Sequence, residues 1–252
     1  MQADPQLSDF TLFAGHRLEL DEFRDSQGNV GANSGLWVEK GASGALLGNV
    51  RGRSGVGILG SIRVEGSVAT ASQVFVGPQG SLEATGGVVE HQRIPRISLP
   101  DLNFQAGRRN VKVPTSGTVS LSPGRYSRVH AGNGAEVRLG AGDYFIRSLV
   151  LGTGGRLTLD PGANKTVVHV TRELILGEAV ELKLASGSTL NVLIEVLGKV
   201  QIGARSVLRG TLVAPRSAVV LPEGSFLEGA CHAHRIFVRS GAAFQGHRAS
   251  LD

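Results

Sequence analysis

The chain has 252 residues, of which 36 are glycine, 19% are charged and 41% are hydrophobic. This composition is too apolar for a disordered chain and too rich in glycine for a helical bundle. The formal net charge of +5 makes the chain mildly basic, which permits an anionic ligand without requiring one.

The first residues show neither the basic segment nor the apolar segment of a secretory leader. We therefore expect one of two locations: the cytoplasm, or the cell surface or extracellular space if a leader has been removed. No apolar run approaches the length of a membrane span, so we expect no membrane-spanning segment. The single cysteine, Cys231, allows no intrachain disulfide and no cysteine-based zinc site, and we expect no cofactor.

Short alternations of apolar and polar residues begin in the amino-terminal part of the chain. Residues 74–76 are followed by Gly77 and then by Leu82, and residues 36–38 begin a similar unit. Alternation with a period of two predicts short strands that bury one face. We assign residues 10–88 to an amino-terminal stack of such strands.

Residues 89–114 interrupt this pattern. The part from His91 to Phe104 contains two prolines and no glycine. One interpretation is a connector between two stacks, and the other is a long excursion from the stack that forms a binding surface. The sequence leaves both open.

The repeat is most regular in residues 115–248. Residues 149–152 (Leu-Val-Leu-Gly) precede an alternation at 157–159, and residues 174–177 (Leu-Ile-Leu-Gly) precede one at 180–184. Glycine at the end of each first alternation is expected to supply a positive φ at a corner. A single short strand cannot bury its apolar face, so successive copies must stack. The pattern predicts an all-β, right-handed parallel β-helix with irregular coils of about 17–26 residues, in two stacks or as one solenoid.

Several segments resemble known bacterial repeat proteins. Residues 10–15 (Phe-Thr-Leu-Phe-Ala-Gly), 120–126 (Ser-Leu-Ser-Pro-Gly-Arg-Tyr) and 211–218 (Thr-Leu-Val-Ala-Pro-Arg-Ser-Ala) resemble the LFA-G, SPG-Y and APxA coils of bacterial envelope-associated β-helix proteins. Residues 60–68 and 227–246 resemble bactofilin coils. The resemblance covers most of the chain and implies a scaffold or surface protein that adheres or polymerises, with no catalytic residues to carry over.

Arginines recur at positions that are predicted to face outward. If Arg125, Arg138, Arg147 and Arg156 stack on one wall, they form a ladder suited to an acidic glycan or to phosphates. The alternative is that exposed arginines only keep a β surface soluble. Few aromatic residues interleave with them, which argues against nucleic acid as a partner. Threonines are scattered and do not form the Thr-x-Thr ranks expected of an ice-binding β-helix.

Two other groups of polar residues were candidates for chemistry. His232 and His234 share one face of a predicted strand and are weak metal candidates, because two imidazoles are too few for a dedicated site. Glu173 and Glu195 could approach each other on neighbouring coils, as the carboxylates of a glycosidase do. Both carboxylates are predicted to face solvent, so we expect no catalytic residues.

The ends of the predicted solenoid show no capping helix. Phe10 and Phe13 at the amino end, and Phe244 at the carboxyl end, are therefore predicted to mediate end-to-end assembly. The alternative is that residues 18–23 fold over one end as a cap. The leading hypothesis is a non-enzymatic scaffold or cell-surface adhesion protein whose partners are other copies, envelope or scaffold proteins, or an acidic glycan. The alternative is a protein that binds or degrades polysaccharide through an arginine-bearing lateral face.

Overall fold

A computed structural model describes residues 5–247, which form 25 strands and two short 3-10 helices, Leu7–Asp9 and Thr189–Asn191. Within this range no helix is long and apolar enough to cross a membrane. The amino-terminal strands are β1 (Leu12–Leu20), β2 (Ser26–Gln27), β3 (Val30–Ala32), β4 (Gly35–Val38), β5 (Ser43–Leu47), β6 (Val50–Gly52), β7 (Gly55–Ile58), β8 (Ser61–Val64), β9 (Val68–Thr70), β10 (Val74–Val76), β11 (Ser81–Ala84) and β12 (Val88–Val89). The carboxy-terminal strands are β13 (Arg109–Val113), β14 (Thr118–Leu121), β15 (Gly124–Ala131), β16 (Glu136–Gly140), β17 (Gly142–Leu151), β18 (Arg156–Asp160), β19 (Thr166–Leu176), β20 (Glu181–Leu184), β21 (Val192–Val196), β22 (Lys199–Ile202), β23 (Val207–Leu221), β24 (Phe226–Val238) and β25 (Ala243–Gln245).

The strands pair in parallel and stack into a β-solenoid of about 12 turns, which confirms the predicted all-β fold. Each coil has three sides. Side 1 includes β3, β6 and β21, side 2 includes β4, β7 and β22, and side 3 includes β5, β8 and β20. Long strands such as β23 bend around a corner and contribute to more than one side. The right-handed sense of the coils stays a prediction.

Alternation along each strand builds the core. In β16, Val137 and Leu139 are fully buried, whereas Arg138 between them is exposed. The same pattern in neighbouring coils places buried aliphatic side chains one above another along the axis. The solenoid interior is therefore a continuous apolar core, and the outward rows of side chains are the surface available for function.

The order of the coils does not follow the order of the sequence. Strand β1 pairs with β24 on one flank and with β3 and β4 on the other, so the first coil stacks on the last. Across this seam, the amide of Cys231 donates to the carbonyl of Thr11 at 2.7 Å, and that of Arg24 to Ala242 at 2.9 Å. The solenoid therefore runs from β13 and β14 at one end, through the seam, to β10, β11 and β12 at the other.

An extended segment, residues 93–108, makes this order possible. This strap leaves the solenoid near Thr70, where Gln92 N donates to the Thr70 carbonyl, and returns where Gly107 N donates to the carbonyl of Tyr126. In the first third of the strap, the side-chain amide of Asn33 donates to the carbonyl of Ile97 at 2.7 Å and accepts from its amide at 3.0 Å. Sixteen extended residues span roughly 50 Å at about 3.1 Å each, enough for about nine coil spacings of about 4.8 Å.

Glycine serves the corner between sides 2 and 3 differently from the prediction. Gly177 and Gly203, which end their alternations, do not have a left-handed φ. A Cβ on Gly203 would lie 2.4 Å from the carbonyl carbon of Gly177, so these glycines allow close approach of the coils. The left-handed residue lies two positions later, and it is Ala179 (φ 53°) or Arg205 (φ 58°) in these coils.

Candidate functional site

The corner between sides 1 and 2 carries a row of cations. As the chain leaves side 1 it passes through register shifts, for example between Ile146 and Ser148 and between Ala214 and Ala218, which turn the intervening side chains outward. Most coils place one basic residue at or next to this corner: Arg147 and Arg172 precede the first residue of side 2, whereas Arg128 and Lys199 occupy it. The coil before that of Arg53 has Asn33 and Ser34 there instead. We call this row the cationic corner, and its members are Arg128, Arg147, Arg172, Lys199, Arg216, Arg235, Arg17 and Arg53.

Three of these arginines line one pocket. Arg128, Arg147 and Arg172 enclose about 220 Å³ together with Asn110, Ser127 and Ser148. All three arginine side chains are exposed, and none forms an ion pair with another described residue. Neighbouring parallel strands are about 4.8 Å apart, so the positive potentials of the three guanidinium groups overlap. The pocket can therefore bind a group of anions repeated along the solenoid axis.

Other members of the cationic corner are partly neutralised. Arg216 lies 3.1 Å from the carboxylate of Asp101 in the strap, and Arg17 lies 2.7 Å from Glu19. Glu173 begins its side 2 segment in register with Ser148 and Lys199 and places one negative charge beside the row. Lys199, Arg235 and Arg53 form no ion pair in the described chain, but Arg128, Arg147 and Arg172 are the unpaired members that line one pocket together.

The four arginines predicted as a ladder lie in three different places. Arg147 belongs to the cationic corner pocket. Arg125 lies on side 1, where its guanidinium covers the Phe145 ring at 4.9 Å and donates to the carbonyl of Gln105 in the strap. Arg138 and Arg156 lie on side 3. The four side chains therefore do not share one wall, because the three-sided coil separates positions that sequence spacing alone cannot distinguish.

Carboxylates neutralise the two arginines of side 3. Arg138 donates to Glu136 at 2.9 Å, and Arg156 lies 3.3 Å from Glu181. Hydrogen bonds from Arg138 and from the Thr158 hydroxyl, assisted by the nearby positive charges, lower the pKa of Glu136 to about 2. The carboxylate therefore stays ionised at neutral pH and holds Arg138, which leaves little free charge for a ligand on this side.

A histidine cluster fastens the strap to side 1. His169 Nδ1 lies 2.7 Å from Glu195 and Nε2 lies 3.4 Å from Asp143. The imidazole stacks on the Phe145 ring, with ring centroids 4.5 Å apart. The Phe104 ring of the strap also packs against the imidazole, with ring centroids 4.8 Å apart. Burial alone would lower the pKa of His169, but the bonds to Glu195 and Asp143 outweigh it, so the pKa lies above 6.5.

This cluster makes stability depend on pH near neutrality. Because the pKa of His169 is raised on folding, its stabilising contribution is complete below about pH 6.5 and is lost as the pH rises through the folded value. We expect the thermal unfolding temperature of the wild-type protein to approach that of His169→Gln as the pH rises from about 6 to about 8. The control His130→Gln changes an exposed imidazole on side 2. A constant gap between wild type and His169→Gln across this range would contradict the assignment.

The structure separates the two histidines proposed as weak metal candidates. His232 is buried on side 1, where Nε2 lies 3.0 Å from the carbonyl of Phe10, and burial lowers its pKa. His234 is exposed at the corner and packs against His16, with ring centroids 5.6 Å apart. Among the residues described, no group of three histidine, cysteine or acidic side chains could hold a metal ion.

The proposed pair of carboxylates is also separated. Glu173 lies at the start of a side 2 segment, whereas Glu195 lies on side 1 and contacts His169. A glycosidase pair must flank one scissile bond, which two carboxylates on different sides of the solenoid cannot do.

The phenylalanines predicted at the ends lie in the middle of the solenoid. Phe10, Phe13 and Phe244 are all buried, because the strap returns the chain and stacks the first coil on the last. The open edges are instead β13 and β14 at one end and β10, β11 and β12 at the other. The second end exposes Val76, Val88 and Val89. Any end-to-end contact must use these strands.

Comparisons with known proteins do not assign a family. No protein-family model matches the chain, and no curated protein matches it significantly. A solved ice-binding protein from an Antarctic Flavobacteriaceae bacterium aligns over 100% of both chains, with 11% identity and a TM-score of 0.36. A likeness at this TM-score carries no argument about function. The structure confirms the β-solenoid that the sequence resemblance implied, whereas membership of the bactofilin or envelope-associated families is not confirmed.

Proposed function

We propose that this solenoid is a non-catalytic binding protein for a linear anionic polymer, which lies along the cationic corner. The observation that carries the proposal is the pocket of Arg128, Arg147 and Arg172, whose three charges have no carboxylate partner among the described residues. Some arginines elsewhere on the surface pair with a carboxylate, as Arg138 does with Glu136, whereas the three in the pocket are unpaired and lie on adjacent coils. Unpaired guanidinium groups repeated along an axis favour a ligand with repeated carboxylates or sulfates.

An acidic polysaccharide fits this row better than a nucleic acid does. The side chains around the pocket are asparagine and serine, which can hydrogen-bond to hydroxyl groups. The pocket lining contains no aromatic ring on which a base could stack. We therefore propose an acidic glycan as the ligand.

Binding of polygalacturonate by isothermal titration calorimetry tests this proposal. We expect the affinity to fall steeply as salt is raised, because exposed charges are screened beyond about 10 Å at 0.1 M salt. Neutral dextran is the control and should not bind. Equal affinity for single-stranded DNA, or an affinity independent of salt, would contradict the proposal.

The scaffold and adhesion roles expected from the sequence stay predictions. A protein that holds an acidic glycan along its flank would suit either role. Assembly into larger structures would have to proceed through the open strands at the two ends rather than through Phe10, Phe13 and Phe244.

A further inference from the structure

Side 2 carries aromatic rings at a regular interval, far from the arginine pocket. In its central outward row Phe237 pairs with Glu19, Glu19 with Trp37, Trp37 with Gly57, and Gly57 with Phe75. The three rings therefore occur in every second coil. Their spacing along the axis is about 9.6 Å, twice the distance between neighbouring strands.

The sequence around Trp37 allows its indole to lie flat on the sheet. A Cβ on Gly57 would lie 2.2 Å from Cε3 of Trp37, and a Cβ on Gly35 would lie 2.6 Å from its Nε1. Any other residue at Gly57 would lift the indole off the strand. Gly57 has no left-handed φ, so the conformation of the backbone does not require glycine there. The glycine makes room for the ring, which spreads over two coils.

Polar groups border these rings. The Arg17 guanidinium lies 5.5 Å from the Trp37 ring centroid and contacts both Glu19, at 2.7 Å, and Glu39, at 3.5 Å. Arg239 lies 5.2 Å from the Phe237 ring centroid. Two carboxylates offset the charge of Arg17, so this surface lacks the positive excess of the arginine pocket.

We propose that this row, Phe237, Trp37 and Phe75, is a second binding surface, which holds a neutral, extended β-1,4-linked glycan chain along the solenoid axis. Sugar rings present apolar C–H faces that pack on aromatic rings, while their hydroxyl groups hydrogen-bond to neighbouring charged groups. In an extended β-1,4 chain the same face recurs every second sugar, at a length comparable to two coil spacings. Isolated exposed aromatic residues need no explanation, but a periodic row with glycine beneath its central ring does.

Trp37 is the only tryptophan, so its fluorescence reports on this surface directly. We expect cellohexaose, mannohexaose or chitohexaose to shift its emission and to protect it from acrylamide quenching. Replacement Phe75→Ala or Phe237→Ala should weaken the binding of the hexasaccharide about tenfold, because each removes one stacking contact. The matched control Phe226→Ala removes a ring from side 3 and should change nothing.

The outcomes separate this inference from the proposed acidic-glycan site. No emission change with any of the three hexasaccharides would overturn it, as would a disaccharide that binds as tightly as the hexasaccharide. A change caused by polygalacturonate alone would also overturn it. Replacement of Arg147 should leave hexasaccharide binding intact, so loss of polygalacturonate binding and loss of neutral-glycan binding are distinguishable failures.

Discussion

Replacement Phe244→Ala is expected to destabilise the protein by about 3–5 kcal/mol, the usual cost of removing a buried aromatic ring. Phe244 is 1% exposed and stacks on Phe23 from the first coil, with ring centroids 6.3 Å apart. Its backbone amide donates to the hydroxyl oxygen of Ser26 at 3.1 Å. The side chain thus fills the core at the seam between the last coil and the first. Urea denaturation followed by circular dichroism measures the loss.

Phe75→Ala is the matched control for this loss. The Phe75 side chain is 55% exposed, so its removal should change stability by no more than about 0.5 kcal/mol. Equal effects of the two replacements would show that Phe244 does not fill a seam. The sequence hypothesis of Phe244 as an exposed assembly residue would predict that pattern.

The triple replacement Arg128→Gln, Arg147→Gln and Arg172→Gln is expected to weaken polygalacturonate binding about 100-fold. Each exposed charge contact contributes up to about 1 kcal/mol, which is roughly fivefold in Kd. The side chains are exposed and have no ion-pair partner in the described chain, so the fold should be unaffected. Calorimetric titration at low salt measures the change.

A second triple variant controls for net charge. Arg63→Gln, Arg138→Gln and Arg205→Gln remove the same number of charges from residues whose side chains are more than half exposed and paired with glutamate. This variant should retain affinity close to that of wild type. If the two triple variants lose affinity equally, binding follows overall charge and the cationic corner is not the site.

Much of the fold could be predicted because short segments of the sequence determine where the strands form. The alternation at residues 149–151 and 157–159 predicts two strands, and β17 and β18 contain them. Spacing between units predicts stacking, since neither strand alone buries its apolar face. Which coils become neighbours is not local information. Every coil offers similar apolar side chains and backbone groups to the next, so nothing in β1 marks it as the partner of β24.

For the candidate site, the sequence could predict which type of residue takes part but not where on the solenoid those residues lie. Outward arginines were recognisable from alternation, but the side on which each one lies depends on how many residues each corner uses. Arg147 reaches the corner because the register shifts between Ile146 and Ser148, whereas Arg138 lies within an unbroken segment of side 3. The available signal was an arginine or lysine just after many of the side 1 segments, as in Arg128 and Arg172.

The stacking of the first coil on the last can be measured through Cys231. This cysteine is buried and lies directly opposite Leu12 across the seam. Parallel neighbours about 4.8 Å apart are within the Cα separation of a disulfide, which is about 4.4–6.8 Å. We predict that oxidised Leu12→Cys forms an intramolecular disulfide, detected by mass spectrometry of unreduced peptides, as should Leu212→Cys, whose position also opposes Cys231.

Val30→Cys, one coil further from the seam, should not form the bond. A Leu12→Cys protein that stays reduced while Leu212→Cys is oxidised would contradict the coil order, and with it the placement of Arg17 next to Arg235 in the cationic corner.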